Sequence, residues 1–430
     1  MAVDRSLSLW SVSALGIGAM VGAGIFALLG QAALVAGSET YVAFLLGGVV
    51  AALSGYSYAK LAAHYPDAGG LTAYFDTAFG TGRVAGTLAL IYLITLAATV
   101  AMVAKAFGAY AAPLIGGDGS QLWINVYASG IVIILTMLNI VGSGLVGKAE
   151  IVLVGIKLVI LAGLMVAGTI GLVGKPPVAQ FHPGITATIG CVGLTFFAYA
   201  GYGMMANAAG SVKDPKRTMP RAIFLAIAMV IVLYVGLALI VLRSVSAADL
   251  TKHADTAVAE AARPVLGHIG YVVVSLGALI ATASAINATI FSAMKIASAL
   301  AQARQLPTMF SRRVWHDGTK GLLLATVGVL LVLNVFNLNA LARIASATFL
   351  IVYLAVHVAH WRLLHTTKGS RLIVGVGFVS MAVVLAFFLW STAEEQPWAI
   401  GVIMAFIGGS WGAEVFFARH AATAGATART

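Results

Sequence analysis

One cysteine, Cys191, stands among 430 residues, which excludes a disulfide within the chain and any thiolate metal cluster. Charge is scarce as well: only 9% of residues are Asp, Glu, Lys or Arg, while 61% are hydrophobic. No soluble domain buries that much apolar surface, so the chain reads as an all-α integral membrane protein. Acidic residues are the rarer sign, 14 against 25 Lys and Arg, for a formal charge of +11. The basic residues cluster in short loops, which speaks for membrane topology and against a nucleic-acid partner. The nine histidines are scattered, and His357 and His360 lack partners at ligand spacing, so no metal site is read. The glycine-rich GAGIF lacks the lysine of a phosphate-binding loop, which leaves ATP-driven chemistry unsupported. No nucleophile–base pairing is legible, so an enzyme is not expected, and no cofactor is implied.

A membrane span takes about 20 mostly apolar residues. Twelve stretches qualify: 9–36, 40–63, 84–113, 123–142, 148–173, 187–209, 221–243, 268–301, 321–336, 339–361, 372–391 and 397–418. The first begins near Leu9 without a fitting small-residue cleavage site and is expected to be a retained helix. Residues 66–82 read as a short amphipathic helix on the membrane surface, and 244–266 as short helices over an opening. With the N-terminus on the cytoplasmic side, most basic residues at span ends and in loops fall on that side, including Arg5, Lys60, Arg83, Lys148, Lys213, Arg304, Arg312, Lys320 and Arg429. Lys175, Arg243, Lys252 and Arg263 fall on the other. The bias predicts a multi-pass inner-membrane protein with both termini in the cytoplasm.

Span one carries GIGAMVGAGIF over Gly16–Phe26, four glycines in eleven residues. Each costs a helix roughly 1 kcal/mol against alanine. Hydrocarbon does not satisfy the peptide groups that a break exposes, so a break survives only where it lines a cavity. Span six has a similar middle, with two glycines and two tyrosines in Tyr199–Gly203, followed by the loop KDPKRTMPR. Two interrupted spans half a chain apart are the pattern of inverted repeats around a midplane site. Packing is the competing reading, since Gly18 and Gly22 form a small-xxx-small pair; the matched position in the two halves favours the site.

GIGAMVGAGIF, FFAYAGYG, VKDPKRTMPRAI and the stretch 286–307, INATIFSAMKIASALAQARQLP, together resemble the amino acid–polyamine–organocation (APC) superfamily of permeases, from about residue 8 to residue 418. The resemblance implies a 12-helix secondary transporter of the leucine-transporter-type fold. Residues 9–173 and 187–361 would be 5+5 inverted repeats, and 372–418 two peripheral helices. A zwitterionic amino acid would bind between the breaks. Its carboxylate would meet the backbone N–H groups of Val21, Gly22, Ala23 and Gly24 at a positive helix end. Its amino group would meet the carbonyls of Ile17, Phe197, Ala198 and Ala200. Tyr199 and Tyr202 would cover the substrate or line its side-chain pocket.

Lys157 stands well inside span five among apolar neighbours. An intramembrane lysine is a functional candidate by default, because it can lose and regain a proton in each cycle. In proton-coupled members of the resembled superfamily a lysine of this span occupies the place of a coupling ion, which makes the proton a partner here, with Ser284 and Asn287 as neighbours. Lys105, Arg343 and Glu414 read as structural. The superfamily often carries an acidic residue at the position of Gly203, and this chain has none between Ala187 and Val212. A buried cationic substrate would lack its counter-charge, so a neutral, small or hydrophobic amino acid is expected. Exchange of cationic amino acids or polyamines without net proton coupling is the alternative.

Overall fold

The computed structural model describes residues 7–66, 70–117, 119–141, 146–173, 181–303, 305–311, 313–315 and 318–427. Arg5, Lys175, Arg304, Arg312 and Arg429, used above for orientation, lie outside the described residues. The helices in chain order are α1 (Leu9–Ala23), α2 (Ile25–Ala36), α3 (Thr40–His64), α4 (Leu71–Phe79), α5 (Arg83–Ile115), α6 (Gln121–Val141) and α7 (Val146–Gly171). Next come α8 (Ile185–Tyr199), a 3₁₀ segment Ala200–Ser211, α9 (Pro215–Ser244), α10 (Ala247–His253), α11 (Ala257–Glu260) and α12 (Arg263–Gln302). The last are α13 (Lys320–Val335), α14 (Leu338–Arg362), α15 (Leu364–Thr367), α16 (Arg371–Glu395) and α17 (Pro397–Thr427). Two short antiparallel strands, Arg313–Trp315 and Gly318–Thr319, join α12 to α13.

Local chemistry sets several helix starts. Ser8, Thr319, Asn337 and Ser370 accept from the backbone N–H three residues on and so cap α1, α13, α14 and α16, each satisfying one donor that a helix start leaves unpaired. Pro215 opens α9, where a missing N–H costs nothing. The long α12 bends at Gly267, whose φ of 66° is left-handed; the straight part therefore begins at His268, where the sequence puts the start of span eight.

Among the described residues ten helical stretches are long and apolar enough to cross a membrane, with Leu9–Ala23 and Lys320–Val335 as shorter apolar helices. α6, α7, α13 and α16 turn large apolar side chains outward, among them Ile134, Val159, Leu331 and Leu372, as a lipid-facing layer must. The inner helices α1, α5, α8, α12 and α14 are mostly buried. Apolar contact between helices gains little over contact with lipid, so close approach of small residues has to hold them. The inner faces comply: Ala98, Ala101 and Ala104 of α5 and Ala278, Ala281 and Ala285 of α12 are all buried. α4 is the helix expected over 66–82, shortened to Leu71–Phe79, with Leu71, Tyr74 and Phe75 buried beneath it.

Candidate functional site

The first span leaves its helix at Gly24, whose N–H still bonds Met20 O at 2.8 Å while its C=O accepts from Leu28 N at 2.9 Å. α1 thus ends at Ala23 and α2 begins at Ile25. Val21, Gly22 and Ala23, expected as carboxylate donors, are helical residues of α1, and Ile17 lies deeper in the same helix. The peptide N–H groups without an intrahelical partner are displaced toward Ile25, Phe26 and Ala27, the first turn of α2, where the helix dipole is positive. A Cβ at Gly24 would stand 2.6 Å from both Ala198 O and Tyr234 Oη, so only glycine lets the two spans touch here. Gly22 answers a different neighbour: its Cβ would meet Ala281 O of α12 at 2.6 Å.

Span six does not open into an extended break. It tightens from α-helix to a 3₁₀ segment after Tyr199 that runs 12 residues, to Ser211. Such runs seldom pass three or four residues and mark strained or functional stretches. Gly201 permits contact with span one, since a Cβ there would lie 2.5 Å from Met20 N. The carbonyls expected to accept an amino group already have protein donors. Tyr234 Oη of α9 donates to Ala198 O at 3.2 Å and stands against the Gly24 break; Tyr353 Oη of α14 donates to Ala200 O. The Ala200 N–H bonds Phe197 O. A carbonyl oxygen has two lone pairs, so each keeps capacity for a ligand. Tyr234 ties the two interruptions together, and sequence reasoning missed it; the signal was a lone polar handle in an apolar run.

A small cavity of about 30 Å³ lies where these elements meet. Ala19 and Ala23 of span one, Ala285 and Ala288 of α12, and the rings of Phe197 and Phe349 form its apolar wall. Ala198, Ala200 and Gly201 contribute from span six. The hydroxyls on it are Thr99 and Thr289, which donate to Thr95 O at 2.8 Å and Ala285 O at 2.7 Å and keep lone pairs to accept. No acidic or basic residue lines it among the described residues. Of the residues named from the sequence, Ala23, Phe197, Ala198 and Ala200 are on the wall; Ile17, Val21, Gly22, Gly24, Tyr199 and Tyr202 are not. Tyr199 donates to Phe44 O at 3.0 Å. Tyr202 stacks edge-on against Tyr58 and Tyr353, ring centres 5.4 and 5.5 Å away. Gly203 sits under the Tyr353 hydroxyl, where a Cβ would collide with it, so a side chain at that position meets Tyr353 and does not reach the cavity.

Lys157 is 1% exposed on α7, and its Nζ donates to Ser284 Oγ at 3.0 Å. Asn287, one turn on, accepts from Asn139 Nδ2 at 2.7 Å. α7 packs against both α1 and α12, which puts the lysine beside the span that carries the Gly24 break. At the end of the bundle that carries α10 and α11, a polar chain closes over the site. Gln31 of α2 donates to Asp255 at 2.6 Å, Asn339 donates to Gln31 at 2.9 Å, and buried Arg343 donates to Asn339 at 3.0 Å. Arg343 also pairs with Glu395 of α16. Above the chain lies a recess of about 800 Å³ rimmed by Lys252, Glu260 and Arg263. Arg343 thus belongs to a network joining four elements, which its place in the sequence alone did not disclose.

Such a bundle, with two interrupted helices meeting at a small central cavity, is a membrane carrier. Residues 11–423 match the family model for Amino acid permease, and the chain belongs to that family, within the APC superfamily; it is a non-enzymatic transporter. It is 47% identical to the inner membrane transport protein YbaT of Escherichia coli (strain K12), over 93% of this chain and 94% of that protein. It is 26% identical to the serine/threonine exchanger SteT of Bacillus subtilis (strain 168), over 73% of this chain and 72% of that protein. Its fold is similar to the crystal structure of a mutant manganese transporter of Eremococcus coleocola, with a TM-score of 0.61 at 13% identity, over 97% of this chain and 96% of that one. That likeness places the fold with transporters of the leucine-transporter type.

Proposed function

We propose that the chain is a secondary active transporter that carries a small neutral amino acid across the inner membrane by alternating access, coupled to protons through Lys157. The observation that carries the reading is the alanine-walled cavity at the two interruptions, without a charged residue on its wall. The cavity is small, about 30 Å³, and its alanine wall suits a small side chain and offers a guanidinium no counter-charge. The first turn of α2 would supply peptide N–H groups at a positive helix end for a carboxylate, and the carbonyls of Ala198 and Ala200 would accept from an ammonium with their remaining lone pairs. The Lys157–Ser284 bond ties α7 to α12, and gain or loss of the lysine proton would make or release that tie.

The architecture supports the same reading. Taking α1 with α2 as one broken span and α13 as a short one gives twelve, in repeats 9–173 and 187–361 with 372–418 outside them. Elements five spans apart then pair in space: α1 with the 3₁₀ segment, α3 with α9, α5 with α12 and α6 with α13. The basic bias favours both termini in the cytoplasm, and the name of the Escherichia coli relative agrees with an inner-membrane location. Obligatory exchange is a second reading, favoured by the Bacillus subtilis exchanger among the relatives. Proteoliposomes separate the two. Uptake of alanine or serine into vesicles without internal substrate, driven by an inward proton gradient and abolished in Lys157→Met, is expected. Strict dependence on preloaded amino acid, or a Lys157→Met variant with unaltered pH dependence, overturns the coupling.

A further inference from the structure

Tyr353, His357 and His360 follow one another at intervals of four and three along α14 and so share a face. His357 is 1% exposed and His360 fully buried. Ser57 of α3 stands between them, its Oγ 3.2 Å from His357 Nδ1 and 3.0 Å from His360 Nδ1. His360 Nε2 lies 3.1 Å from Thr367 Oγ1, and that hydroxyl donates to Leu363 O at 3.1 Å.

A hydroxyl has one proton to give, and the donor balance assigns the rest. Thr367 spends its proton on Leu363 O, so it accepts from His360 Nε2–H. His360 Nδ1 is then the acceptor for Ser57 O–H, and Ser57 in turn accepts from His357 Nδ1–H. What remains is His357 Nε2, a lone pair buried without a hydrogen-bond partner among the described residues. Buried polar atoms without partners are rare enough to need a reason. The ring is held in place by Gly377 of α16, where a Cβ would stand 2.5 Å from His357 Cε1.

The titratable groups that face the pair are Tyr56, whose ring centre lies 6.0 Å from that of His360, with Lys60 and His64 also from α3, and Tyr353 one turn before His357 on α14. α16 presents Gly377. Among the described residues no carboxylate is paired with either imidazole.

We propose that His357 Nε2 is a second proton-binding site, separate from Lys157, whose occupation loosens the junction of α3, α14 and α16. The proton comes from water onto the Nε2 lone pair, the ring becomes an imidazolium, and Nδ1–H stays on Ser57. In the packed arrangement the new N–H points at no acceptor and no counter-charge, so this packing loses stability as the pH falls through the imidazole range, about 6.5. Tyr353, one turn before His357 on α14, holds Ala200 O, so proton binding at the junction would be felt at the span-six carbonyl.

The test uses the full-length protein in detergent, followed by its melting temperature between about pH 7.5 and about pH 5.5. His357→Asn keeps an N–H donor for Ser57 and has no atom in place of Nε2. Its melting temperature should gain on that of wild type by at least about 2 °C as the pH falls; parallel curves overturn the proposal. The same gain should appear in a Lys157→Met background, and its absence there overturns the separation of the two sites. Should the asparagine variant fail to fold, nitrogen-15 histidine spectra of the wild type decide. A buried imidazole in the Nδ1–H form at about pH 7.5 that is lost together with the native packing as the pH falls supports the site. Finding only Nε2–H imidazoles overturns it.

Discussion

Removing a single oxygen, with Tyr234→Phe, tests whether the two interrupted spans are held together as described. The ring would stay, and with it the edge contact to Phe44 at 5.6 Å and the tilted contact to Tyr199 at 5.0 Å. What goes is the donor to Ala198 O and the hydroxyl that stands against the Gly24 break. The hydrogen bond would be worth about 0.5–1.5 kcal/mol had its partner stayed exposed, but a peptide group left unpaired in a buried place costs about 1–3 kcal/mol. Water does not reach this depth to repair the loss. A penalty of that size falls on the state in which the interruptions face each other, reducing its population about 5- to 150-fold against states where they separate. The expected outcome is a lower melting temperature in detergent together with a rise in the apparent substrate Kd, measured by ligand-induced thermal shift. Tyr199→Phe serves as the control, because its hydroxyl bonds Phe44 O and not the Gly24 region; it should lose stability without the same loss of affinity. A Tyr234→Phe protein with wild-type affinity and melting temperature would refute the bridge.

Asp255→Asn probes the polar chain over the site. Burial raises the Asp255 carboxyl above its ordinary range, while the Gln31 hydrogen bond and the Lys105 charge pull it part of the way back. A carboxyl raised in the folded state stabilises fully below its unfolded value, about 3.9, and that contribution is lost as the pH rises through the folded value. The variant should therefore melt above wild type near about pH 8 and converge with it in acid; a constant offset across the range contradicts the assignment. Gly203→Asp should cost stability by about 1–3 kcal/mol through collision with Tyr353 without admitting arginine, and arginine uptake by this variant would show that the position reaches the substrate. Ala288→Leu should fill the cavity and weaken alanine uptake by about tenfold or more, or about 1.4 kcal/mol, with little change in melting temperature; unimpaired uptake would move the substrate elsewhere.

Much of the fold could be read from composition and spacing because a bilayer leaves so few options. Runs of apolar residues interrupted by loops mark helices almost one for one where hydrocarbon forbids any other backbone. Even the bend of α12 at Gly267 agrees with a start expected at residue 268. The short helices α10 and α11 follow from a Ser246 cap and an alanine run. Polar partnerships were less legible. The resemblance named Ser284 and Asn287 together as neighbours of Lys157; Ser284 accepts from it, while Asn287 accepts from Asn139, because one helical turn is enough to change the helix a side chain faces. Arg343 looked structural on its own. Its partners Asn339 and Glu395 come from two helices, and Gln31 extends the chain to a third, a convergence that no local pattern encodes.

The glycines of span one show why the position of the interruption was harder to read than its existence. Gly16 makes room for Met205, Gly22 for the α12 backbone at Ala281, and Gly24 for Ala198 O and Tyr234 Oη. All three allow close approach, and the sequence presents them as one cluster. At Gly24 the helix pattern lapses where Tyr234 Oη of α9 stands against the break and donates to Ala198 O of span six. A glycine lowers the cost of breaking a helix by about 1 kcal/mol, whereas an unmet peptide group in hydrocarbon costs several. The unmet peptide group outweighs the glycine, so the break follows the partner and not the glycine count. By the same reasoning span six, whose carbonyls have Tyr234 and Tyr353 as donors, tightens to a 3₁₀ segment instead of unwinding, keeping its remaining peptide groups paired along its own axis.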